Sequence, residues 1–142
     1  MTVPVAVLLA FAAWTLITLT FGIGLERGFK IASGRAKLTD FPADTPHGSP
    51  LYRRAMRAHA NCVENLPLFG AVVIAAVATG TSSPALDLLA LTFLGARIMQ
   101  TLVHVLPTPN SSWGAIRFTF FLIQLACMVA MGALIAVAAA PV

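Results

Sequence analysis

The most restrictive feature of this sequence is a set of four long apolar stretches in a chain of 142 residues. They cover about residues 3–25, 61–79, 86–106 and 113–140. Each is long enough to cross a hydrocarbon layer of about 30 Å at about 1.5 Å per residue. Charged residues make up 10% of the chain, against about 25% in soluble domains. We therefore predict an all-α membrane protein, a four-helix transmembrane bundle in which residues 1–142 form one domain.

The positive charges are concentrated in one part of the chain. Seven of the nine Lys and Arg residues lie between residues 27 and 57, and none lies in the turn at residues 79–84. By the positive-inside rule, the loop at residues 26–50 is predicted to be cytoplasmic and both termini to lie on the other side. This clustering does not form a soluble basic face, so no nucleic-acid partner is predicted. The Ala-rich composition favours a bacterial inner membrane over the endoplasmic reticulum.

The second span carries a stripe of polar side chains at its entry. At about 100° per residue, Arg54, Arg57, Asn61 and Glu64 fall within roughly a quarter of the helix circumference. Arginines can be flanking charges of a membrane helix, and a glutamate can be buried merely as a partner for one of them. An ionisable residue inside the membrane nevertheless costs about 2.5–3.5 kcal/mol and usually marks function. The stripe is our first candidate binding site.

The third and fourth spans carry further polar stripes, which lie toward the same side of the membrane as the stripe of the second span. In the third span, Arg97, Gln100, Thr101 and His104 follow helical spacing, and Arg97 requires a partner. Glu64 is the one carboxylate at a comparable depth. An Arg97–Glu64 pair that serves only to make the burial of both charges tolerable is therefore the alternative to a binding role for these residues. The fourth span presents a face with a basic residue near its start, formed by Arg117, Phe121, Gln124 and Met128. The three stripes would meet at one site if their faces pack together.

The residue types in these stripes define a ligand class. Arginine binds carboxylates, often through two parallel hydrogen bonds, whereas a single buried carboxylate suits an ammonium group. The ligand predicted from these residues is a zwitterion with excess negative charge, such as glutathione, a phospholipid headgroup or another acidic peptide. The sequence contains no nucleotide-binding or metal-binding motif, and no metal site is predicted.

The segment from Arg57 to Phe69, RAHANCVENLPLF, closely resembles the second-helix signature of the MAPEG family, the membrane-associated proteins in eicosanoid and glutathione metabolism. The spacing R-A-x-x-N-x-x-E-x-x-P is the specific part. An Arg in the third span, an Arg near the start of the fourth and a long basic first loop extend the similarity over nearly the whole chain.

The resemblance implies a homotrimer with glutathione sites between subunits, open to the cytoplasmic leaflet. It implies that Arg54 and Arg57 meet the glutathione carboxylates, Asn61 bonds the peptide and Glu64 takes the ammonium group. Arg117 corresponds to the arginine that stabilises the glutathione thiolate, although an interfacial lipid anchor is an equal alternative from the sequence. The remaining implied site residues line or brace the site: Arg27, His59, Arg97 and His104.

Two function classes follow. The first is a glutathione transferase or peroxidase that acts on lipophilic electrophiles arriving through the bilayer. The second is a non-catalytic scaffold of the same fold that binds membrane lipids or protein. Family enzymes commonly have tyrosines where this chain has His104 and Phe121, which favours the scaffold. The joint presence of Arg57, Asn61 and Glu64 with Arg117 favours the enzyme.

Overall fold

The computed structural model describes residues 1–42, 47–106 and 111–140, and all regular structure in these ranges is helical. Helix α1 (Val3–Leu19) continues through a π-helical segment (Thr20–Gly24) into α2 (Leu25–Ala32). A 3₁₀ turn (Leu38–Asp40) lies in the following loop. Three long helices complete the chain: α3 (Pro50–Ala78), α4 (Pro84–Val105) and α5 (Ser111–Ala138).

Four helical segments are long and apolar enough to span a membrane, which confirms the predicted fold class. The first runs from Val3 to Ala32, so Arg27 and Lys30 lie within the helical rod and not in a loop after it. The second starts at Pro50, about three helical turns before the apolar stretch predicted from residue 61. The chain is therefore an integral, multi-pass membrane protein.

The helix ends between α3 and α4 follow from local sequence. Gly80 has a φ of +65°, which a residue with a side chain rarely adopts, and the Thr81 amide donates to the carbonyl of Ala76. The Ser83 hydroxyl then accepts a hydrogen bond from the Leu86 amide at 3.2 Å, and Pro84 occupies the first turn of α4. The sequence S-P-A-L-D from Ser83 onward predicts this helix start, with a serine cap followed by a proline at the first helical position, and the structure confirms both. The sequence also predicts Asn110, Ser111 or Ser112 as the cap of α5; Asn110 lies outside the described residues, and α5 begins at Ser111.

An aromatic cluster holds the middle of the bundle together. Phe69 of α3 and Phe93 of α4 stack with ring centroids 4.2 Å apart, and Phe11 of α1 meets both rings edge-on. All three side chains are fully buried. Since lipid tails are as apolar as these side chains, van der Waals packing rather than removal from water favours their association. The helix α5 packs mainly against α4.

One end of the bundle is defined by its arginines, and we call it the basic end. It contains α2, the first turns of α3 and the last turns of α4. The Arg27 Nε donates a hydrogen bond to the Tyr52 hydroxyl, and its guanidinium lies 5.1 Å from the centroid of the Phe41 ring. These contacts join α2, the loop and α3 at the point where the candidate site residues lie.

Candidate functional site

A hydrogen-bonded polar network joins α4 to α5 near the basic end. Arg97 Nη1 donates to Gln100 Oε1 at 2.9 Å, and Gln100 Nε2 donates to the main-chain carbonyl of Arg117 at 3.1 Å. Gln124 Nε2 donates to Gln100 Oε1 at 3.1 Å and to the Phe120 carbonyl at 2.8 Å. The polar faces predicted for the third and fourth spans therefore meet, and Gln100 is the residue that connects them.

Arg97 is one of the most buried side chains in the protein, with 1% of its surface exposed. Its guanidinium lies 5.8 Å from the centroid of the Phe11 ring. Within the described residues, Nε and Nη2 have no hydrogen-bond partner, and the one ion pair is Lys30–Glu26. The Arg97–Glu64 pair considered from the sequence is therefore not formed as a direct contact within one chain. Glu64 acts on Arg97 only through longer-range electrostatics.

Unlike the buried network around Arg97, the polar stripe on α3 lies largely on the outside of the bundle. Arg57 and Glu64 are exposed on the outer surface of the bundle, and Asn61 is half-buried. The inner face of the same helix carries Ala58 and Cys62, both fully buried. The small side chains Ala58 and Cys62 pack against the rest of the bundle. Since Arg57 and Glu64 lie at other angles around the same helix, this packing leaves them facing outward.

The structure brings several basic residues together where α3, α4 and α5 meet. Arg54 Nε donates to the Val105 carbonyl at 3.2 Å, which ties the start of α3 to the end of α4. His104 is half-buried, and the charges of Arg117, Arg57 and Arg54 all act on it electrostatically. This cluster is a strongly positive region that suits an anionic ligand.

Two residues assigned to the site by resemblance lie elsewhere within a single chain. His59 faces α1, where its Nδ1 is hydrogen-bonded to Thr18 Oγ1 at 3.1 Å. Arg27 is held by Tyr52 and Phe41 near the end of the first span. Within one chain, the hydrogen bonds of His59 and Arg27 are therefore made to Thr18 and Tyr52.

Sequence reasoning missed the contacts that lock α1 to the rest of the bundle. Trp14 Nε1 donates to Thr101 Oγ1 at 3.3 Å, and Thr101 Oγ1 donates in turn to the Arg97 carbonyl at 3.0 Å. Tyr52 is 2% exposed and serves as the acceptor for Arg27. The sequence did indicate such contacts, because Trp14 and Tyr52 are isolated polar aromatics on apolar or small-residue helix faces. Buried Trp N–H and Tyr O–H groups usually have a hydrogen-bond partner.

Comparison with known proteins identifies the family of this chain. A search among curated proteins finds no match to the chain. The family model described as "MAPEG family" matches residues 4–137, which is nearly the whole chain. That family includes glutathione transferases and related enzymes, and its members use glutathione as substrate or cofactor. With its four membrane-spanning helices and this full-length match, the chain belongs to the MAPEG family and has a membrane function related to glutathione in the general sense of that family.

Proposed function

We propose that the protein binds glutathione at the outward stripe of α3 and acts at that site as a glutathione transferase or peroxidase on lipophilic electrophiles. The observation that carries the proposal is the exposure of Arg57 and Glu64 on the surface of a membrane bundle. Lipid is a poor environment for either charge, so a ligand and a neighbouring subunit are needed to cover them. A homotrimer with sites between subunits would satisfy both needs.

The residues of the stripe suit the functional groups of glutathione. Arg54 and Arg57 would bind its carboxylates, Asn61 would hydrogen-bond its peptide groups and Glu64 would pair with its ammonium group. The distribution of charge supports this assignment, because the charges of three arginines act on His104 whereas Glu64 lies about two turns beyond Arg57 along α3. His104 and Arg97 would brace the site, and Arg27 of a neighbouring subunit would reach it.

Arg117 would stabilise the thiolate of bound glutathione. Its main chain is fixed by Gln100, its side chain is half-buried, and its charge reaches His104 at the centre of the basic cluster. A thiolate is the nucleophilic form of glutathione, and a neighbouring cation in a partly desolvated site favours it. Its sulfur would bond to the electrophilic carbon, and the electron pair would leave with the departing group or take up a proton after addition.

A second candidate function is a scaffold of the same fold that binds lipid or protein without catalysis. Phe121, at the position where family enzymes commonly have a tyrosine, is exposed on the outer surface of α5 and carries no hydroxyl. His104 likewise replaces a phenol with an imidazole. Such a protein would retain the charged stripe for a lipid headgroup rather than for glutathione.

A titration separates the two candidates. Purified protein in mild detergent is titrated with glutathione by calorimetry, then assayed with hydrophobic electrophiles and with lipid hydroperoxides. Saturable binding with turnover of either co-substrate supports the enzyme, whereas a lack of glutathione binding supports the scaffold. Native mass spectrometry of the same sample tests the trimer, and a monomer or dimer alone would contradict a site shared among three subunits.

The orientation of the protein is a separate part of the proposal. We place the basic end in the cytoplasm because membrane loops on that side carry excess Lys and Arg. Single cysteines at Ser33 and Ser82, introduced without the native ones, should react with impermeant reagent from opposite sides of the membrane. Labelling of both from the same side would contradict this arrangement.

A further inference from the structure

A lateral groove separates α1 from the last turns of α4 near the basic end. Its volume is about 220 Å³, and its back wall is formed by Gly22, Ala55 and Ala58. A Cβ added at Gly22 would lie 3.2 Å from the Cβ of Ala55, so the helices approach closely there because both residues are small. The rest of the wall is largely apolar, with Trp14 and Val105 among the residues that line it.

The groove opens to the outer surface of the bundle. Ile17 and Phe21 of the first span and Leu102 and Leu106 of the third line it and are exposed. Its size exceeds the roughly 150 Å³ of an engineered apolar cavity that binds benzene. In a bilayer, atoms that fill such a space gain the dispersion contacts that an empty groove forfeits.

The polar groups that line the groove are already engaged within the protein. The Trp14 indole N–H donates to Thr101, and Thr101 donates to the Arg97 carbonyl. Thr18 donates to the Thr15 carbonyl and is also bonded to His59. With these bonds made, the groove presents methyl groups and aromatic surface rather than free donors, so its occupant is apolar over the buried length.

Positive charge lies at the end of the groove nearest the basic end. Arg54 bonds to the carbonyl of Val105, a residue that lines the groove. Arg27 bonds to Tyr52, which lies one helical turn before Ala55 of the back wall. The nearby carboxylate of Glu26 is paired with Lys30. An apolar trough ending at two arginines is complementary to a hydrocarbon chain that carries an anionic head.

We propose that this groove is a binding site for one acyl chain of an anionic bilayer phospholipid, with its phosphate group held at Arg54 and Arg27. The apolar trough is distinct from the outward stripe, because Ala55 and Ala58 lie on the inner side of α3 whereas Arg57 and Glu64 lie on its outer side. Arg54 and Arg27 are also placed at the proposed glutathione site, so the experiment below is run without glutathione and its outcome does not depend on glutathione binding.

Quenching of Trp14 fluorescence by brominated lipid tests the site. The full-length protein carrying Trp113→Phe, which leaves Trp14 as its single tryptophan, is placed in vesicles with chain-brominated phosphatidylglycerol or phosphatidylcholine at equal mole fraction. We expect saturable quenching with about fivefold preference for phosphatidylglycerol, the effect of about one basic residue near a lipid headgroup. Arg54→Gln should remove most of that preference, whereas Arg53→Gln, exposed on the same turn, should retain it.

A second pair of variants tests the groove itself. Leu102→Phe, which fills the opening, should reduce the saturable quenching, whereas Leu91→Phe, exposed on α4 outside the groove, should not. Equal quenching by both lipids in proportion to their mole fractions would mean ordinary boundary lipid and would overturn the proposal. Quenching by a brominated free fatty acid but not by the phospholipid would also overturn it. Quenching by neither would indicate that protein covers the groove and would likewise overturn the proposal.

Discussion

Two polar regions of this molecule lie near the same end of the bundle and have opposite surroundings. The network of Arg97, Gln100 and Gln124 is buried between α4 and α5 and is bonded within one chain. The stripe of Arg57, Asn61 and Glu64 faces out from α3, and none of its charged side chains has an ion-pair partner among the described residues. The first region is completed largely by folding, and the second requires something outside the chain.

The difference explains how a small membrane protein can use intramembrane charges in two ways. The buried Arg97 bonds to Gln100, whose amide makes the hydrogen bonds that join α4 to α5, at the cost of leaving some guanidinium nitrogens unpartnered. Charges turned outward contribute nothing to the packing of the single bundle and are retained for binding or assembly. If this division is correct, substitutions in the two regions should affect different measurements.

The largest effect is expected from Glu64→Gln on glutathione affinity. Loss of one member of a desolvated charge pair costs about 3–5 kcal/mol, which corresponds to a weakening of roughly two to nearly four orders of magnitude. Calorimetric titration measures it, and Glu26→Gln, which removes a carboxylate bonded to Lys30 at the surface, is the matched control. Unchanged affinity in a folded Glu64→Gln variant would refute the ammonium assignment.

The next effect is on stability. Gln100→Leu removes the acceptor of Arg97 and the donor to the Arg117 carbonyl, so the free energy of unfolding should fall by about 3 kcal/mol. Unfolding in mixed detergent micelles, without ligand, measures this loss. Asn61→Leu deletes an amide from the outward stripe and should change the same free energy by less than about 0.5 kcal/mol. Similar losses in both variants would contradict the division between the regions.

A smaller effect is expected from Arg117→Ala on the glutathione thiol. Removal of the cation should raise the pKa of the bound thiol by about one unit, equivalent to about 1.4 kcal/mol, and so lower the thiolate fraction at neutral pH. The ultraviolet absorbance of the thiolate reports this fraction during titration. An identical signal with similar affinity in wild type and variant would make Arg117 an interfacial anchor instead.

The smallest effect concerns His59. Thr18→Val removes its hydrogen-bond partner on α1, so the free energy of unfolding should fall by about 0.5–1.5 kcal/mol. Glutathione affinity should remain as in wild type, because this contact lies away from the α3 stripe. A loss of affinity without a loss of stability would indicate that His59 belongs to the binding site after all.

Local sequence determined much of this protein. The four spans, the serine cap before α4 and the family signature all follow from composition and spacing along a single helix or turn. The relative positions of Arg54, Arg57, Asn61 and Glu64 on one stripe follow from helix geometry alone. These features depend on residues close together in the chain, which is why they could be predicted without knowing how the helices pack.

Packing decided which of these polar residues became internal. Helix periodicity fixes the angle between two side chains of one helix, but it does not specify which angle faces a neighbour. The bond from Gln100 to the Arg117 carbonyl, the bond between His59 and Thr18 and the groove behind Gly22 each join residues from different helices. Such contacts depend on where small side chains let helices approach, and only the assembled bundle determines that.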